Sequence, residues 1–170
     1  MPHPTPNPLR AASPLRIETV PIDASASRIE TARILMREYA ALPHVAGRWN
    51  TIDQDIAALP APFVVSQGVL LLAWWEDEPV GCVALGALDA STGEVKRMYV
   101  RAAARGRGIG AALLDALLGH ARALGHARVR LDTAPELTPA IALYERFGFR
   151  PIAPYRESQC LAALYFEREV

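Results

Sequence analysis

Apolar positions along this chain follow different periods in turn, and each change of period marks an element. Leu15-Arg-Ile-Glu-Thr-Val20 nearly alternates apolar and polar residues, which predicts a half-buried strand. Ser27-Arg-Ile-Glu30 then has the spacing of a capping box, and Ile29, Ala32, Met36, Tyr39 and Ala40 form one apolar stripe at helical spacing. A shorter helix follows: Thr51-Ile-Asp-Gln54 is a second capping box, and Ile52, Ile56 and Leu59 face one way before Pro60-Ala-Pro62 stops the helix. Val69 to Glu76 and Val80 to Leu88 are continuous apolar runs joined at Asp77-Glu-Pro79. The turn Asp89-Ala-Ser-Thr-Gly93 leads on to Glu94–Val100, so the middle of the chain reads as an antiparallel meander.

Beyond residue 100 the period returns to that of a helix. Residues 109–124 direct Ile109, Leu113, Ala116, Leu117 and Leu124 inward, Ala127 to Asp132 is a strand, and Pro139 to Phe147 is a second helix. That last helix carries its own boundaries: Thr138 as N-cap, Pro139 at the first helical position and Gly148 just past the end. Phe149 to Pro154 and Cys160 to Arg168 form a closing pair of strands. The order predicts an α/β fold, a mixed sheet flanked by helices. A right-handed crossover makes the 94–100 and 127–132 strands parallel neighbours, with a ligand crevice at their carboxyl ends.

Length and charge narrow the function classes. The first 14 residues hold five prolines and read as a disordered or polyproline-like tail, leaving residues 15–170 as a single domain. A core of that size buries about 70% of the unfolded surface. The formal net charge is zero, which gives no reason to expect nucleic acid or an anionic membrane as partner. No run reaches the ~18 apolar residues of a membrane span and no apolar signal core opens the chain, so a cytoplasmic location is the default expectation. Cys82 and Cys160 sit in apolar runs and read as buried free thiols; His3, His44, His120 and His126 have no metal-ligand spacing, so no metal is expected.

The segment with the most chemistry is Val95-Lys-Arg-Met-Tyr-Val100 followed by Arg105-Gly-Arg-Gly-Ile-Gly110. Glycines at 106, 108 and 110 let backbone N–H groups approach a ligand, and a helix starting at about Ile109 adds its positive N-terminus, with Arg105 and Arg107 at the same spot. This looks built for phosphate. A P-loop requires Lys-Ser/Thr after the last glycine, and Ala111-Ala112 stand there instead. Gly106, Gly108 and Ala111 satisfy the dinucleotide-binding pattern, and Asp132 ends the next strand near where a ribose-binding acid belongs. Against that reading, Arg101-Ala-Ala-Ala-Arg105 separates strand from glycines, and Glu94, Lys96 and Arg97 are too polar for a central parallel strand. The third reading is a pyrophosphate site to which arginine contributes much of the attraction.

Arg105-x-x-Gly108-x-Gly110 resembles the acyl-CoA pyrophosphate motif of the GCN5-related N-acetyltransferase (GNAT) superfamily. Ala140-Ile-Ala-Leu-Tyr-Glu-Arg-Phe-Gly-Phe149 is similar to its second signature, a helix ending in Leu-Tyr-x-x-x-Gly-Phe, and the two stand in the family's order and separation. The resemblance spans roughly residues 15 to 170. It implies a mostly antiparallel sheet with one splayed parallel pair, and transfer of an acetyl group from acetyl-CoA, the cosubstrate, to a primary amine by direct attack in a ternary complex. It implies cofactor contacts at Met98, Tyr99, Val100, Arg105, Gly106, Arg107, Gly108, Ile109, Gly110 and Ala111. Tyr144 takes the place of the general acid that protonates the leaving thiolate; at helical spacing from Ala140 and Phe147 it also reads as a core residue. Glu94, 11 residues before Arg105, takes the place of the general base, acting directly or through water, although a solvated turn acid is equally ordinary there. Lys96 and Arg97 read as solvated or substrate-side charges. Where many members carry Asn near the start of the last helix, this chain has Glu136-Leu-Thr-Pro139. His44, Arg48, Trp49 and Asp53 fall on the acceptor side, and a small amine, an amino acid, a peptide N-terminus and a protein lysine stay open as acceptors, for a monomer or homodimer. Two alternatives stand beside this: a non-catalytic acyl-CoA-binding sensor and a dinucleotide-binding protein.

Overall fold

The computed structural model describes residues 14–47, 51–64, 67–156 and 163–170. Strands β1 (Leu15–Thr19), β2 (Val69–Trp75), β3 (Glu78–Ala87), β4 (Thr92–Val100), β5 (Arg128–Thr133), β6 (Arg150–Ile152) and β7 (Leu164–Glu169) form one sheet in the order β1-β2-β3-β4-β5-β7-β6. Neighbours are antiparallel throughout except for the parallel pair β4 and β5, so the mixed sheet read from the sequence is the fold observed. Of the amino-terminal tail only Pro14 is described, its carbonyl accepting from the Glu76 N–H; Cys160 and the start of the expected last strand also lie outside the described residues.

Helices cover both faces of the sheet, which explains why β2 is apolar without alternation. Val69, Leu71 and Ala73 pack into one core with Leu113, Leu114 and Leu117 of helix α4 (Ile109–Ala123) and with Tyr144 of α5 (Thr138–Arg146). Leu70 and Leu72 point the other way, into a second core with Leu35 and Met36 of α1 (Ala26–Ala40), Ile52 and Ile56 of α2 (Ile52–Ala58) and Phe63 of α3 (Ala61–Val64). A strand buried on both faces needs side chains of one polarity only. No described helix is long and apolar enough to cross a membrane.

Several boundaries differ from the sequence reading, each for a local reason. Ser25, not Ser27, caps α1 by accepting from the Arg28 N–H, while Glu30 leaves the expected capping box to pair with Arg33 and Arg37. Thr51 precedes α2 without a side-chain cap bond, its hydroxyl accepting from Arg97 instead. The β2–β3 turn is Glu76-Asp77, both at positive φ, so β3 begins at Glu78, two residues before the Val80 start that the Asp-Glu-Pro stretch suggested. Helix α5 starts one residue early, so Thr138 lies inside it and Leu137 takes the cap position.

The parallel pair opens into a fork. Pairing of β4 with β5 runs only from Thr92↔Arg128 to Glu94↔Arg130; beyond it β4 continues to Val100 along β3, and β5 to Thr133 along β7. A bulge lies just past the fork: the β3–β4 register shifts between Cys82 and Ala84, and Arg97 takes φ +55°.

Candidate active site

A cavity of about 750 Å³ fills the fork and runs from the start of α4 to the connection after α1. At one end lies the glycine loop. Gly106 and Gly108 have φ of +78° and +76°, a left-handed conformation that side-chain-bearing residues rarely hold, and Gly108 serves as N-cap of α4. Gly110 differs: it is helical, and a Cβ there would meet Leu143 and Met98 at ordinary contact distances of 3.5 and 3.6 Å, so neither backbone conformation nor crowding within the protein demands glycine there. Arg105 lines the cavity and its Nε donates to the Val100 carbonyl at 3.1 Å. Arg107 does not line it; its guanidinium lies 4.9 Å over the ring of Trp75. The loop itself therefore offers backbone donors, a helix N-terminus and Arg105, the elements an anion requires, and Arg146 of α5 lines the same cavity.

The wall along β4 is formed by Met98, Tyr99 and Val100, and Ile109, Gly110 and Ala111 face it from α4. Across the gap Tyr144 of α5 lines the same cavity, its hydroxyl donating to the Met98 Sδ at 3.6 Å. A thioether is a weak acceptor, which a stronger one entering the cavity outcompetes. Burial pushes the Tyr144 phenol above its usual pKa, with Tyr39 and Asp132 adding to the effect, so the hydroxyl keeps its proton. Its position is locked by the helix end: the Phe149 N–H donates to the Tyr144 carbonyl and the Gly148 N–H to that of Glu145, with Gly148 at φ +82°. The Phe149 ring meets the Tyr144 ring edge-on at 5.9 Å.

Glu94 sits where the fork begins, buried and covered. Tyr155 donates to its Oε1 at 2.7 Å, Arg156 Nη1 approaches the same oxygen at 2.8 Å, and Lys96 Nζ stands 3.3 Å from Oε2. Glu94 is not among the residues lining the cavity, whereas Lys96, Arg156 and Asp132 are. Arg156 bridges the two acids, its Nη2 donating to Asp132 at 3.0 Å. Burial, with the Glu94 charge behind it, pushes the Tyr155 phenol up as well. Arg97 is neither solvated nor free: its Nε donates to Asp55 at 3.0 Å and its Nη2 to Thr51 at 2.8 Å, fastening α2 to the bulge. Tyr39, Leu42, His44 and Thr51 complete this end of the cavity; Asp53 lies exposed on α2, and Arg48 and Trp49 lie outside the described residues. Cys82 is a buried free thiol whose pKa burial pushes up to about 12, inert as a nucleophile.

A family model described as the acetyltransferase (GNAT) family matches residues 30–149. The chain belongs to the GNAT family. An uncharacterized N-acetyltransferase of Schizosaccharomyces pombe is 28% identical over 146 residues, covering 84% of this chain and 88% of that one. Among solved structures, an acetyltransferase from Streptococcus agalactiae superposes with a TM-score of 0.75 at 18% identity, over 92% of this chain and 98% of that one. A putative acetyltransferase from Salmonella typhimurium, solved with its cofactor acetyl-CoA, gives 0.71 at 20% identity, over 92% and 94%. At those identities the superpositions establish the GNAT fold.

Set against that fold, the glycine loop, the β4 wall and Tyr144 share one cavity, while Glu94 lies buried behind its wall and Arg107 lies exposed outside it. Sequence reasoning missed Arg146, Leu143 and Pro139, which line the cavity from α5 at spacings of three and four residues, a periodicity that was available to read. It also missed Tyr39 and Arg156. Arg156 carries no local signal, because its partners lie 62 and 24 residues away in sequence.

Proposed function

We propose that this GNAT protein is an acetyl-CoA-dependent N-acetyltransferase in which a primary amine attacks the thioester directly. The observation that carries the reading is the fork: beyond Glu94 the β4 backbone faces the cavity without a β5 ladder, between a helix N-terminus suited to pyrophosphate and a buried phenol that holds its proton. The pyrophosphate of acetyl-CoA lies against Gly106, Gly108 and the start of α4, with Arg105 and Arg146 supplying charge. Its pantetheine arm runs along Met98 to Val100, which brings the thioester toward Tyr144.

The chemistry then divides between the two ends. An ammonium has no lone pair, so the acceptor gives up a proton before or as it attacks. Asp132 is the carboxylate beside the acceptor, and Glu94, covered by Tyr155, Lys96 and Arg156, receives a proton through water. The amine nitrogen bonds to the acetyl carbon, the C–S bond breaks, and the Tyr144 hydroxyl donates to the departing sulfur. The products are the amide and free CoA, with Tyr144 reprotonated from solvent.

A thermal-shift titration and a CoA-release assay test this. Acetyl-CoA raises the melting temperature while NAD and ATP at equal concentration do not, and free CoA appears with a panel of primary amines. Stabilisation by NAD alone would overturn the assignment; binding without CoA release across the panel would leave a sensor in place of an enzyme.

A further inference from the structure

The acceptor end of the cavity presents its charges unequally. Lys96 and Arg156 are 28% and 34% exposed, whereas their counterions Glu94 and Asp132 are 1% and 10% exposed. The four formal charges cancel, but the acids form the floor and the cations the accessible surface. Arg97 does not alter this, because it is closed off in its pair with Asp55. An ammonium has three N–H donors and a guanidinium five; the described contacts to the two acids are one from the Lys96 nitrogen and, on Arg156, those of Nη1 to Glu94 and Nη2 to Asp132, leaving its Nε out. Both cations therefore retain donors for a ligand. Lys96 is also the chain's only lysine among 18 basic side chains. At this one position the chain uses a compact point charge in place of its customary planar fork.

Resting on the acetyl-transfer reading above, we infer that the acceptor carries a carboxylate beside its amine, an amino acid being the class that fits, and that Lys96 and Arg156 hold that carboxylate. Held there, the carboxylate fixes the orientation of the amine, and the cationic surface favours the neutral, attacking form of the amine over the ammonium. A polycationic acceptor meets like charge at the same surface.

The test is CoA release with acetyl-CoA and three matched sets of acceptors: the common L-amino acids, their carboxamides, and dipeptides beginning with the same residue. The carboxamide's amine is the less basic, so a preference for the acid runs against intrinsic reactivity. The expected result is a kcat/KM for at least one amino acid about tenfold or more above that of its carboxamide, the scale of one charge-assisted hydrogen bond. In Lys96→Gln and in Arg156→Gln that ratio falls by a similar factor, with thermal melting and acetyl-CoA titration confirming a folded, cofactor-competent protein. Dipeptides outperforming free amino acids would move the carboxylate to a peptide and overturn the inference. Carboxamides equal to or better than acids would overturn it while leaving acetyl transfer intact. No CoA release with any set, with acetyl-CoA still bound, would overturn this inference, and silence across the wider panel of primary amines as well would overturn the transfer reading with it.

Discussion

At the glycine-loop end, the cavity is shaped by backbone: Gly106 and Gly108 at left-handed φ, the first turn of α4, and the unladdered edge of β4. At the other end it is shaped by side chains reaching over long stretches of chain, Arg97 to Asp55 across 42 residues and Arg156 to Glu94 across 62. The loop end depends on what the main chain can adopt, so few sequences satisfy it and its chemistry is the same whatever partner reacts. The other end, where we propose the acceptor binds, depends on which charges meet, so single substitutions are expected to change it more than the frame. On the proposed reading, the protein separates the constant reactant from the variable one by the kind of interaction that would hold each.

The two ends separate most clearly at the Arg97–Asp55 ion pair. Asp55→Ala leaves the buried Arg97 guanidinium unpaired and is expected to lower stability by about 3 kcal/mol, read by chemical denaturation, while acetyl-CoA affinity at the far end stays near wild type. A matching loss of cofactor affinity would show that the ends are mechanically coupled.

Tyr144→Phe keeps the ring against Phe149 and removes only the hydroxyl. Turnover is expected to fall by up to ~10²-fold, the scale of general acid catalysis, with little change in acetyl-CoA affinity. Because burial raises the phenol pKa from its ordinary 10.0, any alkaline limb that Tyr144 contributes to the wild-type rate profile lies above pH 10. A wild-type turnover number in the variant removes the assignment.

Gly108→Val tests the backbone directly. A side chain at φ +76° carries about 1–2 kcal/mol of strain, and relief of that strain turns the N–H groups of the loop. The expected outcome is a loss of acetyl-CoA affinity of at least ~10-fold by calorimetric titration, with the amine KM much less affected. Arg107→Ala is the smallest change: its guanidinium stacks on Trp75 outside the cavity, so stability drops by about 0.5–1 kcal/mol and acetyl-CoA affinity holds. A large affinity loss there would return Arg107 to the phosphate.

The same division decides what could be read from the chain alone. The glycine loop, the helix after it, and the Leu-Tyr-x-x-x-Gly-Phe helix end were legible because local conformational rules dictate them, Gly148 at the helix terminus being one case. Ser25 displaced Ser27 as the cap of α1 because two hydroxyls stand within reach of the same helix start, and spacing cannot rank them. The burial of Glu94 was not legible, since Tyr155 and Arg156 come from 61 and 62 residues away to cover it. Arg107 looked equivalent to Arg105 in the loop; only the position of Trp75, on a different strand, turns it outward.

The closure of α5 on Tyr144 turns a sequence spacing into a ruler. The Phe149 N–H seats on the Tyr144 carbonyl, which ties the angular position of the phenol to the point where the helix stops. One residue added between Tyr144 and Gly148 would rotate the ring by about 100° around the helix axis and shift it by about 1.5 Å, carrying the hydroxyl out of the fork without altering the identity of any residue in the site. Insertions and deletions in that tripeptide should therefore cost both core packing and turnover, whereas substitution of the exposed Glu145 should cost little of either.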